Sequence, residues 1–221
     1  MGRFNNRYEK AYYNSFVKHM SYPGEEDVFC KLISLWQLQL YFSNARGKTD
    51  LYKDFYEKVR TSPNQPTPGT QQLEFVKMMC DITQADLTDF FKRWGYLSSF
   101  NGEIDDYGKR QVVIDQSQID KTIAAIKVKN YLPLTEKIEY ISDSNWEIFR
   151  DRLPVRQGTA VKSGKTITMI GWQNVVAYEV YDGGTLVFVS NKASFNLDAD
   201  VSSGIKVMAV AYDGSKTEVK F

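Results

Sequence analysis

The sequence has little of the chemistry that most enzyme sites use. It contains one histidine, His19, two cysteines and no glycine-rich phosphate loop in 221 residues. A zinc peptidase site needs two histidines one helical turn apart, a further ligand and a carboxylate that activates water. A serine or cysteine nucleophile needs a neighbouring base, and His19 is the one histidine that could serve. The sequence therefore predicts no catalytic residue, no metal ligand and no cofactor within this chain.

The cysteines and the histidine allow three interpretations. Cys30 and Cys80 fall on apolar faces of predicted helices, where a free buried thiol is the ordinary interpretation. A disulfide between them is the second possibility, since two cysteines do not distinguish cellular compartments. A metal site that combines His19 with both cysteines and a carboxylate is also conceivable, although nothing in their spacing favours it.

The chain also lacks an excess of charge of either sign. It has 28 Lys and Arg against 27 Asp and Glu, which gives no support for a nucleic-acid or anionic-membrane partner. No apolar run is long enough to span a bilayer, and the N-terminus has no signal-peptide pattern. Either the protein is cytosolic or Met1 is not its native start. Hydrophobic content of 43% and aromatic content of 14% are ample for a real core.

Residues 1–130 have the periodicity of helices, which predicts an all-α domain. The run 28–42 is apolar around more than one face, so it predicts a buried central helix that includes Trp36. A second helix is predicted over 83–94, with Thr83 at its start and Gly95 as the left-handed residue that stops it. Its core positions follow the i, i+3, i+4, i+7 pattern and are Leu87, Phe90, Phe91 and Trp94.

The remaining sequence predicts one more helix, a junction and a set of strands. Asp115 can cap a helix whose inward residues are Ile119, Ile123 and Ile126. Residues 131–154 form a junction. From about residue 155 the period changes to two, with Asp-Gly turns at short intervals, so 155–221 predicts a small antiparallel β-sandwich of the fibronectin-III or immunoglobulin type. The predicted fold class is α+β and multidomain, with the helical domain first.

Two groups of residues are candidate binding sites. Asp105 and Asp106 lie in a polar loop that could bind calcium, but the loop lacks the ligand spacing of an EF-hand, so a solvated turn is the favoured alternative. Trp172 with Tyr178 and Tyr181 could stack on sugar rings and bind a glycan. The alternative is that these aromatics fill the core of the predicted sandwich.

Six sequence segments of the helical half occur in an order that is typical of a known family: Asn6–Tyr12, Asp27–Phe42, Asp54–Thr61, Gln72–Val76, Asp86–Gly95 and 105–108. Together they resemble the region downstream of the zinc site in M60-like (enhancin-like) metallopeptidases of gut Bacteroidetes. The resemblance covers about residues 3–110, with a looser match at 141–145, and the order of the segments makes it more specific than any one of them.

The resemblance implies a function that this chain does not carry alone. Such enzymes are secreted or surface-anchored zinc peptidases that attack glycoproteins such as mucins. A HExxH helix supplies two zinc ligands and the catalytic Glu, and a later Glu supplies the third ligand. None of these ligands maps onto this chain, so we expect it to correspond to the part of such an enzyme that follows the last of them.

We therefore expect the non-catalytic C-terminal portion of an M60-like metallopeptidase, inactive by itself, with zinc held in the parent enzyme. Its expected partners are the missing N-terminal catalytic region and a glycoprotein. The alternatives are a free-standing glycan- or glycoprotein-binding protein and a purely structural remnant.

Overall fold

The computed structural model describes residues 4–105, 108–198 and 204–221 and has an α+β fold. The α-helices of the described residues are α1 (Arg7–Tyr12), α2 (Val28–Leu38), α3 (Leu51–Thr61), α4 (Pro68–Thr83), α5 (Thr88–Arg93), α6 (Gln116–Lys127) and α7 (Trp146–Asp151). π-Helical turns at Tyr13–Val17 and Gln39–Ala45 continue α1 and α2, and short 3₁₀ turns lie at Tyr22–Gly24 and Ile138–Tyr140. Within the described part of the chain, no helix is both long enough and apolar enough to cross a membrane.

The strands of the same residues form four sheets. They are β1 (Ala85–Asp86), β2 (Phe100–Asp105), β3 (Lys109–Ile114), β4 (Leu132–Pro133), β5 (Thr159–Ser163), β6 (Thr166–Ile170), β7 (Ala177–Asp182), β8 (Thr185–Ser190), β9 (Ser194–Asn196), β10 (Lys206–Val210) and β11 (Lys216–Val219). The sheet orders are β11-β10-β7-β8, β5-β6-β9, the hairpin β2-β3 and the short parallel pair β1-β4.

Polar side chains at the N-termini of the helices accept hydrogen bonds from backbone N–H groups that have no partner inside the helix. Thr67 forms a capping box with Thr70 at the start of α4: each side-chain oxygen accepts from the other residue's N–H, at 3.2 and 3.1 Å. Asp115 and Gln118 form the same motif at α6. The predicted cap at Asp115 is confirmed, and Ile119 and Ile126 of that helix are buried.

The helix predicted to start at Thr83 starts five residues later. Thr83 is the last residue of α4, and its hydroxyl donates to the carbonyl oxygen of Met79 at 2.7 Å. Gln84 then takes a left-handed φ of 53°, and the Asp86 carboxylate accepts the N–H of Thr88 to open α5. The inward residues were predicted correctly, and all are buried: Leu87, Phe90, Phe91 and Trp94.

The prediction that residues 1–130 are all helical is wrong, because β2 and β3 form an antiparallel hairpin. The hairpin lies against the start of α4, where a Cβ at Gly69 would come within 2.1 Å of the Val113 carbonyl oxygen. Asp105 ends β2, so it lies in a strand rather than in a loop, and Asp106 lies outside the described residues.

The predicted strands of residues 155–221 are confirmed as antiparallel sheets. Asp182 pairs with Thr185, so Gly183 and Gly184 form a two-residue turn in which both have positive φ, 55° and 86°. A left-handed pair of this kind matches the twist of the flanking strands and favours glycine.

The four-stranded sheet is covered on both faces. One face joins the three-stranded sheet in a cluster that includes Tyr178, Val180 and Phe188 on one side and Ile167 and Phe195 on the other. The opposite face joins the helical core through the buried residues Ala177, Val189 and Val210. The helices and this sheet therefore share one hydrophobic core, although the sequence predicts a boundary near residue 155.

Candidate functional site

The structure does not bring the three predicted sugar-binding aromatics together. Tyr178 is buried between the two larger sheets and is only 5% exposed, so it offers no ring face to a ligand. Trp172 is half-buried against the same cluster and donates its indole N–H to the Thr159 carbonyl oxygen at 3.1 Å. Tyr181 lies on the helical side of β7, where its hydroxyl donates to Glu179 at 2.6 Å. Glycan binding by these three aromatic residues stays a prediction. They do not share a surface on which a sugar could bind.

The residues present do not fit a zinc site. His19 is exposed with a φ of 52°, whereas Cys30 and Cys80 are free and buried. Over residues 4–105, 108–198 and 204–221, no three His, Cys, Asp or Glu side chains are placed to hold a metal ion together. Burial raises the pKa of each thiol to about 12, which keeps both protonated and poor as metal ligands.

Helix α2 has an exposed apolar face, which contradicts the prediction of a fully buried central helix. Its inner face is buried, as at Ile33 and Leu38. Its outer face consists of Val28, Phe29, Leu32 and Trp36, which are 48%, 58%, 47% and 44% exposed. We call these four residues the α2 stripe. Three of them are spaced by four residues, so they lie along one side of the helix.

Asp143 joins the α2 stripe to the rest of the molecule. Its Oδ1 accepts the indole N–H of Trp36 at 2.8 Å, and its Oδ2 accepts the hydroxyl of Tyr8 at 2.9 Å. Burial and the Asp143 carboxylate raise the pKa of Tyr8, so this phenol stays a donor at neutral pH. The arrangement fixes the Trp36 ring on the surface without covering it.

Asp27 organises the other end of the α2 stripe. It caps α2 by accepting the N–H of Phe29 at 3.0 Å. It also pairs with Arg7 at 2.6 Å and with Lys10 at 2.7 Å, and the hydrogen bond from Lys10 lowers the pKa of its carboxyl. The Arg7 guanidinium lies 4.6 Å from the centre of the Phe29 ring. Nothing in the sequence spacing indicated these ion pairs, because they join α1 to α2.

A mixed-charge cleft of about 510 Å³ lies between α5, the 3₁₀ turn at Ile138–Tyr140 and the four-stranded sheet. Glu179 is 3% exposed in its wall and pairs with Lys216 at 2.6 Å. Burial alone would raise the pKa of Glu179, but hydrogen bonds from Lys216, Tyr140 and Tyr181 outweigh it and lower the pKa. All these partners are already engaged with one another, so the network holds the helices to the sheet.

Comparison with known proteins gives the context for this geometry. A sequence model of the peptidase M60, enhancin and enhancin-like family matches residues 3–95. No curated protein matches the sequence significantly. Among solved structures, a metallopeptidase from Bacteroides thetaiotaomicron is similar, with a TM-score of 0.72 and 21% identity. A metallopeptidase in complex with Tn antigen has a TM-score of 0.73 and 22% identity. The M60 catalytic domain of Clostridium perfringens ZmpC, in complex with the sialyl T antigen, has a TM-score of 0.56 and 20% identity.

The matches cover most of this chain but a minority of the others. The three similarities extend over 95%, 99% and 86% of this chain, and over 41%, 46% and 35% of the respective solved chains. This chain thus shares its fold with part of each of these three proteins and spans less than half of the length of each.

Proposed function

We propose that this chain is the non-catalytic portion of an M60-like zinc metallopeptidase that acts on glycoproteins of the mucin type. The observation that carries the proposal is the unequal coverage: the shared fold takes in 95% of this chain but 41% of the metallopeptidase from Bacteroides thetaiotaomicron. The M60 family match over residues 3–95 supports it.

The chemistry of the chain agrees with this role. One histidine cannot supply the two imidazole ligands that a HExxH zinc site uses. The zinc ligands and the glutamate that activates water would therefore lie in the remaining polypeptide. The solved relatives are described in complex with Tn antigen and with sialyl T antigen, which supports a glycosylated substrate for the whole enzyme.

The paired sheets of residues 159–219 act as a fibronectin-III-like accessory layer on the helical domain. The whole enzyme works outside the cell or at its surface, where mucin-type glycoproteins are found. Its partners are the zinc-binding part of the polypeptide and the glycoprotein.

The test compares this chain with the native polypeptide that contains it. We expect the isolated chain to hold no stoichiometric zinc and to leave a mucin-type glycoprotein intact. We expect the native polypeptide to hold about one zinc ion per molecule and to cleave the same glycoprotein until a chelator removes the metal. Cleavage by the isolated chain, or a native polypeptide without zinc, would refute the proposal.

A free-standing glycan-binding protein is the second candidate, and the partial exposure of Trp172 favours it. In that case the isolated chain binds immobilised mucin, and Trp172→Ala weakens the binding at least tenfold, because it removes the large aromatic face on which a sugar ring would stack. Phe221→Ala removes another exposed aromatic and serves as the matched control.

A further inference from the structure

We propose that the pocket between the C-terminal end of α5 and the π-helical turn at Tyr13–Val17 binds an oxyanion of the sulfate or phosphate type. We call it the α5 pocket. The ligand is either the free inorganic ion or the same group esterified to a larger molecule. The inference goes beyond the proposed function and does not depend on it.

The α5 pocket has a volume of about 300 Å³ and presents hydrogen-bond donors from two sides. The π-helical side contributes the hydroxyl of Ser15 and the imidazole of His19. The α5 side and the loop after it contribute Lys92, Arg93 and the hydroxyl of Ser98. The ammonium and guanidinium groups donate hydrogen bonds and accept none. An oxyanion with three or four oxygens can accept from both sides at once, so this set of donors suits it.

Arg93 is the strongest argument, because its charge lacks a counter-ion. It is half-buried, its guanidinium lies 4.3 Å from the centre of the Phe16 ring, and it donates a long hydrogen bond of 3.4 Å to the Tyr140 hydroxyl. Neither contact carries negative charge. Arg46 is half-buried as well, and it pairs with Glu136 at 2.5 Å. A guanidinium that is partly withdrawn from water needs an anion beside it, and the described part of the chain pairs Arg93 with none.

The other donors of the α5 pocket are unused as well. Among residues 4–105, 108–198 and 204–221, no group forms a hydrogen bond or an ion pair with the side chains of Ser15, His19, Lys92 or Ser98. Asp89 is the carboxylate that lines the pocket, and within the same residues it pairs with neither cation. Two permanent positive charges therefore face one negative charge, in a chain whose overall charge is nearly balanced.

The backbone holds the two sides of the α5 pocket together. Gly95 has a φ of 74°, and a Cβ there would lie 2.4 Å from the carbonyl oxygen of Met20, so the close approach requires glycine. The N–H of Tyr22 donates to the carbonyl oxygen of Gly95 at 2.9 Å. His19 takes a left-handed φ of 52°, which non-glycine residues adopt rarely and often at functional sites. Donors presented from a fixed backbone need little ordering when a ligand binds.

The experiment titrates the isolated chain with small anions by calorimetry at low ionic strength. The probes are inorganic sulfate, inorganic phosphate, glucose 6-sulfate, acetate and uncharged glucose. We expect a single saturable site for the sulfate and phosphate probes and no binding of glucose. Saturable binding of none of the sulfate and phosphate probes would overturn the inference. Acetate that binds as tightly as sulfate would overturn the assignment of the ligand class.

The same titration distinguishes the two sources of the ligand. Glucose 6-sulfate that binds about tenfold more tightly than inorganic sulfate would support an esterified ligand, because the pocket then also contacts the carrier of the group. Equal or tighter binding of the inorganic ion would support the free ion.

Substitutions locate the bound anion. Lys92→Gln removes one charged donor and should weaken binding by about tenfold. Asp89→Asn removes the opposing carboxylate and should strengthen binding by about threefold. Lys121→Gln is the matched control, because Lys121 is an exposed lysine of α6 that does not line the pocket, and it should leave binding unchanged.

The melting temperature separates binding from folding. Lys92 and Asp89 are exposed, so neither substitution should lower it. Arg93→Gln should abolish binding, but it also removes the contact with Phe16, so the conclusion depends on the two exposed positions. Equal weakening by Lys92→Gln and Lys121→Gln would show that the anion binds through general surface charge and would overturn the inference. Unchanged binding in both Lys92→Gln and Asp89→Asn would overturn it as well.

Discussion

Trp36 and Asp143 are 107 residues apart in sequence and are joined by an N–H···O bond of 2.8 Å. The second oxygen of Asp143 accepts the hydroxyl of Tyr8, so a single carboxylate links α1, α2 and the segment before α7. The bond leaves the face of Trp36 open. Specific hydrogen bonds therefore hold the surface around Trp36 in place, although its ring stays exposed.

Asp143→Ala should loosen this surface. Both donors lose a charged acceptor at an exposed site, so the free energy of unfolding should fall by about 1 kcal/mol. Asp120→Ala is the control, because Asp120 accepts a bond from Gln116 on the same helix, and we expect less than about 0.5 kcal/mol there. Urea unfolding measures both. Equal effects would mean that Asp143 does not organise the α2 stripe.

The two tryptophans predicted to be in the core should behave differently. Trp94 is 2% exposed and packs against Phe16 with a centroid distance of 4.9 Å, whereas Trp36 is 44% exposed. Trp94→Ala should cost about 3–5 kcal/mol, the range for a buried large-to-small change. Trp36→Ala should cost about 1 kcal/mol in the isolated chain, since it mainly loses the bond to Asp143. Similar losses for the two variants would contradict the exposure of the α2 stripe.

Glu179 should make stability depend on pH in the acid range. Because its pKa is lowered in the folded state, it stabilises the protein above its ordinary pKa, and this contribution is lost as the pH falls through the folded-state value. Glu179→Gln should therefore lower the free energy of unfolding at pH 7 by about 2–3 kcal/mol, a figure reduced for the partial exposure of Lys216. The difference from the unsubstituted protein should shrink towards pH 3.

Urea unfolding at pH 7 and near pH 3 measures the Glu179 effect. Glu57→Gln is the control, since Glu57 pairs with Arg60 on the exposed side of α3 and should leave stability essentially unchanged at both pH values. A Glu179→Gln deficit that is the same at both values would show that its charge is not what stabilises the fold.

The sequence correctly predicted those features whose residue pattern lies within one short segment. The spacing of Leu87, Phe90, Phe91 and Trp94 identified a buried helix face, and Asp115 identified a helix start. The hairpin of β2 and β3 was missed because its outward positions are polar and concealed the period of two in a stretch that resembles a loop.

The exposed face of α2 was less predictable for a different reason. The apolar residues of α2 were recognised, but periodicity shows that a side chain is apolar and not whether another segment covers it. The Trp36–Asp143 bond and the burial of Tyr178 depend on contacts between distant segments, which one sequence does not reveal.

The most direct test of the central claim is the size of the native polypeptide. An antibody raised against this 25.5 kDa chain can isolate that polypeptide from its source, and mass spectrometry gives its intact mass. We predict a polypeptide at least about twice as large as this chain, because similar metallopeptidases extend the shared fold by more than its own length. An intact mass equal to that of this chain would contradict the proposal that it is one portion of a larger peptidase.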